Sequence, residues 1–177
     1  MTDETGTTRW LFADQLGPHF DDGGPLLLIE ARSVFERRTY HRQKAHLILS
    51  ALHHRAADDP ERVTLIRSQT YAEGVATYRE SSDRDLDAIA ATSRPARRLV
   101  ERLGLSTIHP ERGWFTTPGE FQAWVTGRGD KRLLMEDWYR GVRSRHDVLM
   151  ADGKPEGGKW NFDHDNRLPP QIGRAHV

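Results

Sequence analysis

The side chains best suited to bind a small ligand are a few residues in the first third of the chain. Asp14 follows one apolar run and Glu30 closes another, and both runs have the composition of buried strands. His41, Lys44 and Ile48 share one face of the helix predicted next. In a doubly wound parallel sheet, ligands bind at the carboxyl ends of the strands. A small polar heterocycle there could accept hydrogen bonds from Lys44 or His41 and donate them to Asp14 or Glu30.

Each of these residues has a structural alternative, because carboxylates and cations can also form a network that only ties a loop to a helix. Asp163, His164 and Asp165 resemble a metal cluster in composition, but three consecutive side chains cannot all face one ion without a tight turn. A hydrogen-bonding role between domains is the stronger hypothesis for them. His53 and His54 fall on different faces of a helix, which favours a solvated pair. The sequence therefore predicts no catalytic residue and no metal site.

The elements that would position the ligand site alternate along the chain. Strands are predicted at about 9–13, 26–30, 63–66, 86–90 and 105–108, and helices at about 40–57, 72–80 and 95–103. A capping box, Thr117-Pro118-Gly119-Glu120, opens a further helix. This alternation predicts an α/β fold with a doubly wound, five-stranded parallel sheet of the Rossmann-like kind, followed by a helical extension.

The extension contains a basic helix predicted from about 131 to 150. Its apolar stripe comprises Leu134, Trp138, Val142 and Leu149, and its other faces carry Arg132, Glu136, Arg140, Arg143 and Arg145. Gly141 weakens the helix by about 1 kcal/mol relative to alanine, so packing against a partner surface must hold it. After a glycine-broken turn, Trp160 and Phe162 stand among polar residues, a mixture that suits a segment wedged between two domains.

The same segment carries a resemblance to a known family. The blocks GR-x-x-x-RLLMEDWYR, Leu149-Met150 and GGKWNFDHDNR resemble the hallmark blocks of deoxyribodipyrimidine photolyase-related proteins, the iron-sulfur bacterial branch of the cryptochrome/photolyase family. In that family they lie between an N-terminal antenna domain and a C-terminal flavin-binding helical domain. The resemblance implies an antenna domain over 1–126 and an interdomain helix and linker over 127–170. It implies interdomain roles for Trp138, Arg140, Trp160, Asn161, Asp163, Asn166 and Arg167.

The resemblance also implies an activity, the light-driven and flavin-dependent repair of pyrimidine lesions in UV-damaged DNA, with (6-4) photoproducts as the suggested lesion. FAD and a 4Fe-4S cluster would belong to the C-terminal part, which is the expected partner of this chain, and the chain alone would be inactive. The crevice at Asp14, His41 and Lys44, which match family positions, would hold a ribityl-lumazine antenna chromophore. Val34 and Arg37 stand where the family has an acidic residue and a tyrosine.

The composition of the chain limits the classes of function that it could have. Positive and negative side chains balance at 26 each, although arginines outnumber lysines 22 to 4 and cluster at 32–42, 94–102 and 128–145. Interleaved acids favour solvated helix faces over a phosphate-binding surface. The absence of cysteine excludes a cysteine-ligated cluster within these 177 residues. Since no signal peptide or long apolar span is evident, we expect a cytoplasmic protein without membrane contact.

The last seven residues, 171–177, resemble the translation of a sequencing adapter, so we expect the natural protein to continue past Pro170. A genuine polar tail is the alternative. A second hypothesis for the whole chain is a free-standing doubly wound module that binds a nucleotide or senses light without catalysis. Trp138, Trp160 and Phe162 discriminate between the two: a complete module should bury them, and a part of a longer protein should expose apolar surface.

Overall fold

The structure is a computed structural model that describes residues 6–163. His164, Asp165, Asn166 and Arg167 of the predicted interdomain block, and the segment 171–177, lie outside the described residues. The chain divides into two compact units, with the boundary between Trp114 and Phe115. This boundary precedes the one expected from the family at residue 126, which remains a prediction about the longer protein.

The first unit is built on a five-stranded parallel sheet. Its strands are β1 Thr7–Leu11, β2 Leu26–Ala31, β3 Val63–Ser68, β4 Asp85–Ile89 and β5 Thr107–His109, in the order β3-β2-β1-β4-β5. Strand order reverses direction between β1 and β4, as expected of a doubly wound fold. The predicted fold class is therefore confirmed.

Helices cover both faces of this sheet. They are α1 Arg32–Glu36, α2 Arg42–Asp58, α3 Tyr71–Ser81 and α4 Arg94–Arg102, and a 3-10 turn spans Pro18–Phe20. Leu52 of α2 packs into one buried cluster, whereas Val75 of α3 and Val100 of α4 pack into the other. Three of the helices were predicted to within two residues at each end, and the short α1 was not predicted.

Strand β2 explains why the core has two halves. Leu27 and Ile29 belong to the cluster beneath α3 and α4, while Leu26 and Leu28 belong to the cluster beneath α2. Successive side chains of a strand point to opposite faces, so a run of four apolar residues fills both cores at once. All four are at most 2% exposed. The prediction of a strand buried on both faces is confirmed.

A polar network, which the sequence did not predict, crosses the sheet beside this core. Arg9 of β1 donates two hydrogen bonds of 3.1 Å to the carboxylate of Asp87 on β4. His109 of β5 lies 2.7 Å from the same carboxylate. Asp22 completes the network through Arg9 and Arg112, and these two guanidinium groups hold the pKa of Asp22 well below its usual range. The buried carboxylate of Asp87 is thereby compensated by charge and hydrogen bonds.

The second unit consists of two helices and a small hairpin. Helix α5 spans Pro118–Gly127 and α6 spans Met135–His146. The two-stranded hairpin pairs β6 Met150–Ala151 with β7 Lys154–Pro155, and a second 3-10 turn follows at Glu156–Gly158. The predicted capping box is confirmed, since Thr117 accepts from the Glu120 amide and the Glu120 carboxylate accepts from the Thr117 amide.

The helix predicted over 131–150 is shorter than expected. Arg132 precedes α6, so it forms no helical pair with Glu136. Asp147 ends the helix in a left-handed conformation with φ of 52°, and Leu149 also has a positive φ, of 54°. Leu149 was predicted on the apolar stripe, but it lies beyond the end of α6 and is 61% exposed. The prediction failed here because the hairpin turn, rather than the apolar spacing, decides where the helix stops.

Among the described residues, none of the helices combines the length and apolar character needed to cross a membrane.

Candidate functional site

The candidate site lies where β1 and β4 end side by side at the carboxyl edge of the sheet. Asp14 follows β1 and Thr92 follows β4, and the Thr92 hydroxyl donates to the Asp14 carboxylate at 2.9 Å. Both side chains are exposed. The topology places them together because the direction of the winding changes between these two strands, which leaves a crevice.

Gln15 fixes the loop that carries Asp14. It is 1% exposed, and its side-chain oxygen accepts from the Phe12 amide at 3.2 Å. Its side-chain amide donates to the carbonyls of Ile89 at 3.2 Å and Ala90 at 3.5 Å. One side chain thus ties the end of β1 to the end of β4. The sequence analysis missed this role, although the position of Gln15 directly after Asp14 was a usable signal.

Tyr71, the first residue of α3, lies close enough to Asp14 to feel its charge. Its ring packs on Trp10 at 5.5 Å and on Phe12 at 5.4 Å. Burial raises the pKa of Tyr71, and the negative charge of Asp14 raises it further, whereas Arg37 lowers it. Asp14, Arg37 and Tyr71 therefore share one electrostatic environment. Tyr71 was not predicted, but it follows β3 at the carboxyl edge, where the topology directs ligand-binding residues.

Tyr40, two residues before α2, is a second aromatic residue of this region. Its ring lies 5.1 Å from Phe35, and the Lys44 ammonium group stands 5.6 Å from its centre. Tyr40 also raises the pKa of Tyr71, after the larger effects of burial and Asp14. In the sequence Tyr40 follows Arg37 by three residues, and Arg37 occupies the position where the family has a tyrosine.

His41 and Lys44 lie at the start of α2, but His41 stands just outside the helix, and their ligand role stays a prediction. His41 precedes α2 as its N-cap, and its Nδ1 accepts from the Gln43 amide at 3.3 Å. Lys44 lies within the first turn and is exposed, whereas Ile48 is half-buried one turn further on. The ammonium group of Lys44 remains available to a ligand on its exposed side.

Glu30 lies on β2 facing α2, where it contacts His53 at 2.6 Å and Arg67 at 3.5 Å. These contacts form a carboxylate-cation network between strand and helix, which was the structural alternative to a ligand-binding role for Glu30. The ligand role of Glu30 remains a prediction, and its carboxylate already has two partners, His53 and Arg67. The prediction of a solvated His53 and His54 pair is wrong for His53, which is half-buried in this contact, while His54 is exposed.

The second unit brings several predicted interdomain residues together on α6. Arg140 pairs with Glu136 at 3.0 Å and lies over the Trp160 ring at 5.6 Å. Asn161 donates to both oxygens of Glu136 at 3.2 Å. Trp138 instead packs on the α5 side, 5.3 Å from Phe121 and Trp124. Asp163 is exposed at the end of the described residues.

The burial of Arg143 differs from what the sequence predicts. This residue was expected on a solvated face, but it is 6% exposed. Its guanidinium group donates to the carbonyls of Val148 at 3.1 Å and Trp160 at 2.6 Å, and also to that of Leu149. Three carbonyls therefore satisfy one buried cation, and α6 is fastened to the hairpin and to Trp160. The helix wheel cannot show this, because the partner carbonyls come from another element.

Many apolar side chains of the second unit are exposed. Trp138 and Trp160 are half-buried and Phe162 is 48% exposed. Phe115, Leu133, Leu134, Met135, Tyr139 and Leu149 are also between 39% and 69% exposed. Within residues 6–163, no group of three or more histidine or carboxylate side chains could hold a metal ion.

Comparison with known proteins identifies the relatives of this chain. The family model described as "Deoxyribodipyrimidine photo-lyase-related protein" matches residues 9–175. A curated protein named "(6-4) photolyase" from Agrobacterium fabrum is 44% identical over 62 residues, which is 35% of this chain and 12% of that protein. The aligned part is therefore a small fraction of the relative's length. Since the family model covers nearly the whole sequence, this chain belongs to the deoxyribodipyrimidine photo-lyase-related protein family.

Proposed function

We propose that this chain is the antenna part of a photolyase that uses light and a reduced flavin to repair UV-induced pyrimidine lesions in DNA. The family supports a photolyase-like role, and the name of the curated relative supports (6-4) photoproducts as the lesion. The observation that carries the proposal is the group of side chains at the carboxyl edge of the sheet, where Asp14 and Tyr40 act on the charge of Tyr71 and the Lys44 ammonium group lies over the Tyr40 ring. A cytoplasmic location fits a DNA substrate.

The chemistry of the crevice fits a ribityl-lumazine, a flat heterocycle with a polyhydroxylated chain. Tyr40 and Tyr71 offer aromatic surface for the ring. Lys44 can donate to ring carbonyls, and Asp14 can accept from ring nitrogen or ribityl hydroxyls. When bound, such a chromophore absorbs light for transfer to the flavin. The residues of this chain would hold the ring in a fixed orientation and shield one of its faces from water.

The electron-donating groups would lie outside this chain. No cysteine occurs among the 177 residues, so a cysteine-ligated 4Fe-4S cluster does not fit here. We place FAD and the cluster in a C-terminal part of the longer protein, together with the contacts to the lesion. The exposed apolar residues of the second unit would then form half of an interdomain surface against that part.

A nucleotide-binding module is less well supported. Dinucleotide sites of doubly wound folds place phosphates on a helix N-terminus directly after β1. In this structure β1 leads into a loop and the 3-10 turn Pro18–Phe20, and a further strand follows. No helix terminus therefore stands at the position that a pyrophosphate requires.

Titration of the purified chain with 6,7-dimethyl-8-ribityllumazine, followed by the fluorescence anisotropy of the chromophore, tests the antenna proposal. We expect binding that Lys44→Ala weakens at least about tenfold, since a charge-assisted hydrogen bond contributes about 1.5–3 kcal/mol. His54→Ala, an exposed substitution on the same helix, is the matched control and should leave the affinity unchanged. Equal affinities for all three proteins, or no binding, would overturn the proposed site.

A further inference from the structure

Helix α4 carries a stripe of three arginines that the proposed antenna role does not use. Arg94, Arg98 and Arg102 recur at every fourth position and are all exposed. Among the described residues, no carboxylate lies within ion-pair distance of any of the three. The opposite face of α4 is apolar, and Ala96, Leu99, Val100 and Leu103 pack against the core.

The stripe contributes little to folding. Like charges four residues apart on a helix repel each other. Arg94 also occupies the first turn, where the helix dipole disfavours a cation and where α4 has no acidic residue. The neighbouring Arg97 behaves differently, since it donates to the Ala91 carbonyl at 2.6 Å and lies 3.7 Å from Glu111. Arg97 is thus part of the fold, whereas the three stripe residues are free to contact a partner.

The geometry of the stripe suits a phosphate backbone. Four residues of helix rise about 6 Å, so the three guanidinium groups span about 12 Å along the helix axis. One strand of duplex DNA presents a phosphate every ~3.4 Å of helix axis, which gives three or four phosphates over that length. The guanidinium fork also matches phosphate oxygens in a bidentate arrangement.

We propose that the outer face of α4 is a DNA contact, which binds the phosphate backbone through Arg94, Arg98 and Arg102 without regard to base sequence. An anionic membrane surface is the less suitable partner. A helix that lies on lipid inserts its apolar face into the headgroup layer, whereas the apolar face of α4 is buried in the protein core. The proposal rests on the proposed photolyase function for its choice of DNA, but none of the three arginines is among the residues assigned to the Asp14 site, so DNA binding can be measured apart from chromophore binding.

The test is fluorescence anisotropy with an undamaged duplex of mixed sequence, measured at several salt concentrations. The triple variant Arg94→Gln, Arg98→Gln, Arg102→Gln should bind more weakly at low salt. Its plot of log affinity against log salt should lose about 2.7 in slope, because each phosphate contact contributes about 0.9. The control variant Arg32→Gln, Arg38→Gln, Arg42→Gln removes the same charge from other exposed positions and should keep the native slope.

Each outcome decides the proposal. An unchanged slope in the α4 variant overturns it, as does an equal loss in the control variant, which would indicate a net-charge effect alone. Absence of DNA binding by the native chain at low salt also overturns it. Stronger binding to phosphatidylserine vesicles than to the duplex would assign α4 to a membrane instead. Circular dichroism checks that both triple variants fold, which we expect because the stripe side chains have no ion pair within the described fold and the pair of Arg32 with Glu36 in the control is exposed.

Discussion

Gln15 shows how one buried amide can position an exposed carboxylate. Its side chain bonds to the backbone at the ends of both β1 and β4, while the adjacent Asp14 points out to Thr92. The position of the Asp14 carboxylate therefore depends on a neighbouring side chain that is itself buried. The motif Asp14-Gln15-Leu16 combines an exposed acceptor with a buried anchor in two consecutive residues.

We predict that Gln15→Ala destabilises the first unit by about 2 kcal/mol, because it leaves the Phe12 amide and the Ile89 carbonyl without their partner in a buried site. Urea unfolding followed by circular dichroism measures the change. The control Gln122→Ala removes the same side chain from an exposed position of α5 and should cost little. A Gln15 variant as stable as the native chain would contradict the anchoring role.

Tyr71 links the aromatic core to the charge of the site. Its pKa is raised, chiefly by burial and then by Asp14, so we predict that Asp14→Asn lowers the pKa of Tyr71 towards the ordinary value. Spectrophotometric titration of tyrosinate measures this, and Tyr71→Phe identifies the transition. Asp85→Asn is the control, since that carboxylate lies at the start of β4, at the opposite edge of the sheet. An unshifted Tyr71 in Asp14→Asn would contradict the shared environment.

The raised pKa of Tyr71 makes the free energy of unfolding depend on pH in the alkaline range. A raised pKa in the folded state means that folding favours the protonated phenol. Its contribution to the free energy of unfolding is therefore fully present below the pKa of tyrosine in the unfolded chain, about 10. This contribution is lost as the pH rises through the raised pKa of Tyr71 in the folded chain. The free energy of unfolding should therefore fall less steeply above pH 10 in Tyr71→Phe than in the native chain.

At the scale of elements, Arg143 joins three backbone segments of the second unit. It belongs to α6, but it bonds to the carbonyls of Val148 and Leu149 before the hairpin and of Trp160 after it. A helix with a mid-helix glycine and few buried residues gains its stability from such contacts rather than from propensity. The left-handed end of α6 at Asp147 brings the first two carbonyls within reach.

We predict that Arg143→Ala destabilises the second unit by about 3 kcal/mol, since several buried carbonyls lose a charged donor together. Arg143→Lys should recover only part of this, because an ammonium group lacks the planar fork. The matched control is Arg140→Ala on the same helix, which breaks an exposed pair worth about 0.5 kcal/mol. Thermal unfolding of the three variants separates these effects, and equal losses for Arg143→Ala and Arg140→Ala would contradict the anchoring role of Arg143.

At the scale of the whole molecule, the two units differ in how well they bury apolar surface. The first unit has two dense clusters around its sheet. In the second, the consecutive Leu133, Leu134 and Met135 are between 42% and 62% exposed. Exposed apolar surface of this kind marks an interaction site on a folded protein. The hypothesis that this chain is part of a longer protein predicts such surface, and that hypothesis stays a prediction.

We predict that the chain binds the dye 8-anilinonaphthalene-1-sulfonate and that Met135→Ser with Leu149→Ser lowers the dye fluorescence, because both side chains expose about three-fifths of their surface. Leu47→Ser is the control, an exposed leucine of α2 in the first unit. Equal fluorescence from the double variant and the native chain would show that the dye binds elsewhere.

The sequence by itself determined the parallel sheet, because the apolar run of β2 and the alternation of strands with helices leave few other arrangements. It also determined the capping box of α5 and, through the hallmark blocks, the family. These are local patterns, which neighbouring residues specify. Asp14, His41 and Lys44 could be proposed for the same reason, since each stands next to the end of a strand or the start of a helix.

Only the tertiary structure decided which side chains share a site. Tyr71 and Thr92 meet Asp14 across strands that are distant in sequence, and Glu30 turns instead to His53. The burial of Arg143 likewise depends on carbonyls that a turn folds back over α6. Hydrogen bonds between distant segments leave no periodic trace in the sequence. Their partners are set by strand order and by turn geometry, both of which emerge only when the chain is folded.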